Sequence, residues 1–574
     1  KDTRGLSVRS SQRIQPDRLS GRSSLPGDES STRSGPPGSD GRWPLIDTAY
    51  PASGYQPLGI LLPRPDHRTI VPRHTPAWVA RELAERGFNA DREAVTLLSR
   101  ADDPGRAVRR AVEGAPEDAF RLSVEHVRDV LAEPDHGRGD ISTAGNTGNN
   151  REILATSPEE TGGSERGESV AAPASAVTVE NDVTGRSTGT GVYEDFVAVF
   201  RDRFERLSGM LRPRVNHRPA SSLERMAGGE AAAIVGMVAD VRSTSGGHRL
   251  VELEDTTGTF RCMVLKDRDV VDQVDELLLD EVIAVEGRLA SDGGVLFVDD
   301  VHFPDVPRTF QSNTADRHVQ AALVSDVHVG SQEFLADAWS AFAEWLYSPE
   351  ADPVEYLLIA GDMVEGVGVY PNQDEELDIV DIYEQYETFA EHLKDVPGDL
   401  EIVMIPGNHD AVRLAEPQPA FDEELREIMS AHDARITGNP SIVTVEGVSV
   451  LMYHGVSLDE VIAELPAEKA TYDEPHLAMN YLLRKRHLAP QFGERTRVAP
   501  EERDYMVIEE VPDVFHAGHV HKLGTGRYHN VTVVNSGCWQ AQTAFQKRVN
   551  IDPDAGYAPI LDLDTLDVTI RKFT

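Results

Sequence analysis

The spacing of apolar residues changes character several times along the chain, and each change marks an element. Between 231 and 303 apolar and polar positions alternate. "AAIVGMVADVR", "HRLVELED", "TFRCMVL", "EVIAVEGRL" and "GVLFVDDVHF" read as five short strands, separated by "STSGG", "TTG", a helix-like "RDVVDQVDELL" and "SDGG". Five strands with a helix between the third and fourth is the order of an OB-fold β-barrel, expected over 226–310. From 318 to 574 the pattern becomes apolar run, short polar loop, helix, repeated. That alternation predicts an α/β domain with helices over sheets and functional groups at the C-terminal ends of strands. Upstream the period is helical. "TPAWVARELAERGF" opens with a Thr N-cap and Pro at the first helical position, and "SVEHVRDVLAE" repeats the spacing, so a small helical domain is expected over 71–135. "YEDFVAVFRDRFERLSGML" predicts a further amphipathic helix within a helical connector over 191–225. The polar stretches "GRGDISTAGNTGNN" and "TGGSERGES" mark 136–190 as a low-complexity linker, and residues 1–70, rich in Ser, Gly, Pro and Arg, read as a disordered N-terminal segment.

Charge changes the picture of possible partners. Ninety-seven acidic residues against 56 basic ones leave a formal net charge of −41, which taken alone argues against a polyanionic ligand. Lysine stands only at 1, 266, 394, 469, 485, 522, 547 and 572, and the acid is spread over every folded segment. Such a bias fits a halophilic cytoplasm, where molar salt screens charge within about 3 Å. Apolar stretches such as "VSVLMY" fall far short of the roughly 20 residues that cross a bilayer, so no membrane partner is expected. The two cysteines, Cys262 and Cys538, form neither a disulfide framework nor a CxxC, which fits a reducing interior.

Chemistry concentrates where apolar runs end in the last domain. "AALVSDVHVGS" supplies Asp326 and His328, "YLLIAGDMVEG" Asp362, "EIVMIPGNHD" Asn408 and His409, "VLMYHGVS" His454, and "VFHAGHVH" His519 and His521. Mixed carboxylate, amide and imidazole donors suit borderline-hard divalent ions: Mn²⁺ first, with Fe²⁺ or Zn²⁺ fitting the same set. Seven donors exceed what one ion needs, so two divalent metal ions are implied, the device for in-line attack on a phosphate ester. In extended backbone residues i and i+2 point the same way, which would let His519 and His521 each reach a different ion. Glycines 361, 407, 455 and 518 fit tight turns beside the ions. His516 reads as structural, whereas His409, next to a ligand, is placed to protonate a leaving oxygen.

These five loops, in this order, resemble the calcineurin-like metallophosphoesterases, in a nuclease branch. With the OB-fold directly before them, "GVGVYPNQ" after Asp362 and "VNSGCWQAQTAFQK" near the C-terminus, they are similar to the small-subunit family of archaeal D-family DNA polymerases. The resemblance covers about 230–574 and implies a calcineurin-like phosphoesterase sandwich over 318–574. It implies Asp326, His328, Asp362 and His521 at a first ion, Asp362 bridging to a second, and Asn408, His454 and His519 completing that second site. It makes His409 a general acid or transition-state stabiliser. It also implies 3′–5′ exonuclease activity, with DNA 3′ ends and single strands as substrate and a large catalytic polymerase subunit as partner. "MVEG" after Asp362 departs from many relatives in lacking a histidine.

For DNA contacts the barrel offers Arg242, Arg249, Phe260, Arg261 and Phe297, and a barrel used only to dock domains is an equal alternative. Two other functions stay open: a phosphomonoesterase or cyclic phosphodiesterase on the same scaffold, and a non-catalytic scaffold subunit whose ions stabilise the fold.

Overall fold

The computed structural model describes residues 75–132 except 102 and 116–120, and residues 177–574 except 431–432 and 494. The disorder expected over 1–70 lies outside the described residues, as does most of the linker.

Four helices, α1 (Pro76–Ala84), α2 (Arg92–Ser99), α3 (Pro104–Glu113) and α4 (Val124–Ala132), pack with a two-residue parallel pair, β1 (Asn89–Ala90) and β2 (Arg121–Leu122). Thr75 Oγ1 accepts the Trp78 N–H at 3.2 Å, capping α1 where its first amides lack helical partners. Val79 and Leu83, four apart on α1, meet Val95, Leu98, Val108 and Val127 in one core. Arg81 pairs with Asp395 at 2.7 Å, and Arg92 donates to the Ala351 and Val354 carbonyls at 2.6 Å, joining this unit to the α/β domain.

The linker expected over 136–190 needs correction at its end. Val177–Val179 forms β3 against a sheet edge, and Val183 is buried. Two β-branched valines in "VTV" suffice for three antiparallel rungs, too short a run to stand out within a polar stretch. Helix α5 (Tyr193–Leu211) follows, its fully buried Arg203 paired with Asp504 at 2.7 Å. The short α6 (Ala220–Leu223) then feeds Ala220 and Leu223 into the next core.

β4 (Ala231–Ser243), β5 (Arg249–Asp255), β6 (Gly258–Val264), β7 (Val282–Leu289) and β8 (Leu296–His302) close a barrel in the order β4-β5-β6-β8-β7. The helix expected across "RDVVDQVDELL" shrinks to α7 (Val271–Val274). Its Asp and Val residues are weak helix formers, and the Glu281 carboxylate takes the Leu278 N–H at 2.7 Å, turning the chain away.

The remaining strands form two six-stranded sheets. One is ordered β12 (Arg435–Ile436), β11 (Glu401–Ile405), β10 (Val354–Ala360), β9 (Gln320–Val324), β18 (Tyr557–Asp562), β19 (Val568–Lys572). The other runs β16 (Leu523–Tyr528), β17 (Val531–Ser536), β15 (Val514–Ala517), β14 (Val448–Met452), β13 (Ser441–Val445), β3. Period two explains the layering. Ala321, Leu323, Leu358 and Ala360 meet Val443, Val450, Val514 and Val534 between the sheets. The alternate set, Ala322, Val324, Leu357 and Ile359, faces α8 (Ala336–Trp345) and α9 (Ile382–Leu393), with α10 (Glu423–Ile428) beside them. Phe515, Ala517, Val531 and Val533 face α11 (Leu458–Glu464) and α12 (Pro475–Lys485) on the opposite side. The result is helix, sheet, sheet, helix.

Barrel and sandwich are joined by a buried ion pair. Lys485 Nζ, at the end of α12, lies 2.9 and 2.8 Å from the two Glu281 carboxylate oxygens and donates to the Glu276 carbonyl at 3.1 Å; neither charged side chain is exposed. Removing one partner leaves a buried charge uncompensated. Lys485→Met is therefore expected to cost about 3–5 kcal/mol, and Lys485→Met with Glu281→Leu to recover most of it, read from denaturant midpoints.

Candidate metal centre

Sheet topology brings the loops together. β9, β10 and β11 are mutually parallel neighbours, and so are β14 and β15, so the C-terminal ends within each set lie side by side. Backbone bonds then link the loops that leave them. The Asp326 N–H donates to the Gly361 carbonyl at 3.0 Å, His328 N–H to Asp362 O at 3.1 Å, and Gly518 N–H to His454 O at 2.8 Å.

The side chains form two abutting clusters. Asp326, His328 and His521 present ligand atoms within 4.8 Å of one another, as do Asp362, His454 and His519. In the first, His328 Nε2 and His521 Nε2 stand 3.0 Å apart, with Asp326 Oδ1 3.8 and 3.5 Å away. In the second, His454 Nε2 is 3.1 Å from both Asp362 Oδ2 and Asn408 Oδ1. Asp362 Oδ2 is also 3.8 Å from His328 Nε2, so this one oxygen lies between the clusters. All seven expected donors are thus brought together.

The route to this arrangement differs from the expected one at His519 and His521. β15 ends at Ala517, and both histidines take left-handed backbone, φ +71° and +55°, so the extended i, i+2 argument does not apply. Asp326, His328 and Asp362 share that region, at +53°, +56° and +52°. Non-glycine residues adopt it at about 1–3 kcal/mol each, and only where surrounding structure over-determines them.

That surrounding structure includes residues not singled out from the sequence. The Glu365 carboxylate stands 2.9 Å from His328 Nδ1, an ion-pair contact off the line of a straight hydrogen bond, and its backbone carbonyl accepts from His409 Nδ1 at 2.8 Å. So the "MVEG" stretch, which has no histidine, instead braces two. Glu365 is in turn held by Gln540 Nε2 at 2.7 Å and Tyr370 O–H at 3.1 Å, and its carbonyl by Gln373 Nε2 at 2.9 Å. Asp410 Oδ2 accepts the Asp362 and Gly407 N–H groups at 2.9 and 2.8 Å, while Gln546 Nε2 lies 2.9 Å from His521 Nδ1 and Asp459 Oδ2 3.4 Å from His519 Nε2. "GVGVYPNQ" and "VNSGCWQAQTAFQK" carry several of these supports; the remaining signal was the acid ending "GNHD". His516 is buried against Ser536 Oγ at 3.1 Å, and burial pushes its ring down to about 3.

The electrostatics suit a cation. Burial alone would raise the Asp326 carboxyl, but His328 and His521 outweigh it and hold the group well below the usual range. Asp362 is likewise held low, its burial outweighed by His454 and His409. For His454, burial works downward, yet Asp362 pushes the ring up to about 10. His328 is likewise pushed up, against its burial, by Glu365 and Asp326, whereas burial pushes His521 down, so His328 and His454 are the rings whose protons balance the carboxylates and can be displaced by a divalent cation. Asp362 Oδ2 is buried without a hydrogen-bond partner, and two imidazole nitrogens converge beside it; a bound cation relieves both.

The barrel residues expected to touch DNA do not gather into a free basic face. Phe260 must be corrected: at 4% exposure it points into the barrel core with Cys262 and Val264, because alternation along β6 puts it opposite Arg261. Arg242 and Arg261 are exposed and Arg249 is half-buried, and they face Asp240 at 3.4 Å, Glu252 at 3.6 Å and Asp275 at 2.5 Å respectively. Phe297 is 40% exposed.

Residues 321–523 match the B-subunit family of DNA polymerases alpha and epsilon, and 232–302 match the OB-fold nucleic acid binding domain. Over 500 residues the chain is 67% identical to the DNA polymerase II small subunit of Halobacterium salinarum, covering 86% of this chain and 98% of that one. It is 40% identical over 492 residues to the Archaeoglobus fulgidus protein of the same name, covering 84% and 94%, and 39% identical over 393 residues to that of Pyrococcus furiosus, covering 66% and 64%. The chain belongs to the family of DNA polymerase II small subunits.

Close packing at the site leaves no room for a methyl group at Gly407, where a Cβ would stand 2.2 Å from Asp362 Oδ1. Gly407→Ala is expected to lower stability by about 1–3 kcal/mol and, by displacing Asp362, to weaken Mn²⁺ binding, checked by denaturation and by equilibrium dialysis.

Proposed function

We propose that this chain is the 3′–5′ proofreading exonuclease of a two-subunit DNA polymerase, hydrolysing the 3′-terminal phosphodiester of DNA. The observation that carries the reading is the pair of donor clusters sharing Asp362, next to an OB barrel. On this reading the two-sheet domain is a calcineurin-like phosphoesterase sandwich. Asp326, His328 and His521 would hold one divalent ion and Asn408, His454 and His519 the other, with Asp362 placed within reach of both.

Bound there, two ions such as Mn²⁺ would neutralise charge developing on the phosphate and acidify the attacking water. The protein's part is orientation and proton transfer. His409 Nδ1–H donates to the Glu365 carbonyl at 2.8 Å, which fixes the ring and leaves Nε2 as its remaining hydrogen-bonding atom. Protonated, Nε2 donates to the departing 3′ oxygen. The Asp362 Oδ1 contact to His409 N–H, 2.8 Å, ties that acid to the shared carboxylate. The relatives' name, DNA polymerase II small subunit, implies a large polymerase subunit as partner; DNA 3′ ends and single strands are the substrate that the exonuclease reading requires.

With Mn²⁺ and a 5′-labelled single strand, the wild-type protein should produce a ladder of shortened products. His454→Ala and Asn408→Ala should abolish it; equal activity in all three would refute the assignment. His409→Ala should keep its bound metal and lose about 10²–10⁴-fold in kcat, with little change in KM.

A further inference from the structure

The stretch 537–550 wraps the site, yet its outer side has no role in the chemistry above. Trp539 N–H donates to the Asp326 carbonyl at 2.9 Å, Gln540 reaches Glu365, and Gln546, on α13 (Ala544–Val549), lies 2.9 Å from His521 Nδ1. Gln546 is the one buried residue of α13. Phe545 and Lys547 flank it in sequence and, at about 100° per helical residue, project to either side of the buried Gln546, while Arg548, three residues after Phe545, shares the phenylalanine's side of the helix. Phe545 is 55% exposed, unusual for an aromatic side chain with no ring partner among the described residues.

Charge distinguishes α13 from its surroundings. "AFQKRV" holds two cations and no acid in a chain of net charge −41. Lys394, Lys469, Lys485 and Lys522 are each paired with an acid, whereas Lys547, like Lys266 and Lys572, forms no ion pair among the described residues. The nearby guanidinium, Arg548, donates from Nε to Ala544 O at 3.3 Å and forms no ion pair among the described residues. An aromatic face flanked by unpaired cations is the combination that holds a single nucleic-acid strand, base on ring and phosphate on cation. It also suits this acidic chain: in molar salt long-range attraction is screened within about 3 Å, which leaves stacking and direct contact to do the binding.

Building on the exonuclease reading, we propose that α13 grips the terminal segment of a single DNA strand, with Phe545 stacked on a base and Lys547 and Arg548 on adjacent phosphates. The test is fluorescence anisotropy of a labelled oligothymidylate with the full chain, without added metal, over a range of salt. Phe545→Ala should weaken binding about tenfold or more, and Phe545→Trp should restore it. Lys547→Glu with Arg548→Glu should flatten the slope of log K against log salt by about 1.4, two contacts at about 0.7 each. Melting temperatures should not change. Affinity and slope that match wild type in all variants would overturn the proposal. If the strand binds through α13 but Mn²⁺ brings no shortening, the grip stands and the exonuclease reading falls. If wild type shortens the strand and α13 variants bind it equally well, only the grip falls.

Discussion

A single buried carboxylate, Asp362, sets the terms for the rest of the α/β domain. An ionised carboxylate removed from water costs several kcal/mol unless its lone pairs are taken up. Here Oδ1 accepts the His409 N–H, and Oδ2 sits between His454 Nε2 at 3.1 Å and His328 Nε2 at 3.8 Å. Holding that atom in place requires loops from β9, β10, β11 and β14 to meet, and adjacent parallel strands in each sheet carry the loops there. Asp410 fastens two of the loops by accepting amides from both, and burial together with the neighbouring Asp362 pushes its own carboxyl up to about 7.

The same constraint accounts for the strain. Five of the seven donors have left-handed backbone, which would relax if their loops were free. They are held by what lies behind them: Glu365 on His328, Gln546 on His521, Asp459 on His519, and glycines where another atom would collide. A Cβ at Gly518 would stand 2.3 Å from Asp326 Oδ2. Supports of this kind preset donor geometry before any ligand arrives, and they tie the "VNSGCWQAQTAFQK" stretch to the site it surrounds.

Periodicity made much of the architecture legible. The stretch quoted for α5 has the helix's own bounds, Tyr193–Leu211, because one apolar face repeats through it, and each barrel strand lies within about two residues of the stretch that announced it. β3 was not legible, since three residues that pair only at a sheet edge carry too little pattern. The helix across 268–278 was over-read, because apolar spacing says nothing of the Glu281 carboxylate that turns the chain. Phe260 was misplaced although the sequence held the answer: next to Arg261 on a strand, it faces the other way. The clustering of the seven candidate donors was legible because each lies within about four residues of the end of an apolar strand. Glu365 and Gln546 were not, since a second layer of contacts leaves no spacing rule. Nor could sequence show that Arg242, Arg249 and Arg261 each face an acid.

On the proposed reading Asp362 joins two divalent-ion sites into one. Counting Mn²⁺ bound per folded chain at equilibrium, in wild type and in Asp362→Ala, checks this. Wild type should bind two ions, and the variant should lose affinity at both sites. Two ions retained at unchanged affinity in Asp362→Ala, or none bound by wild type, would refute it.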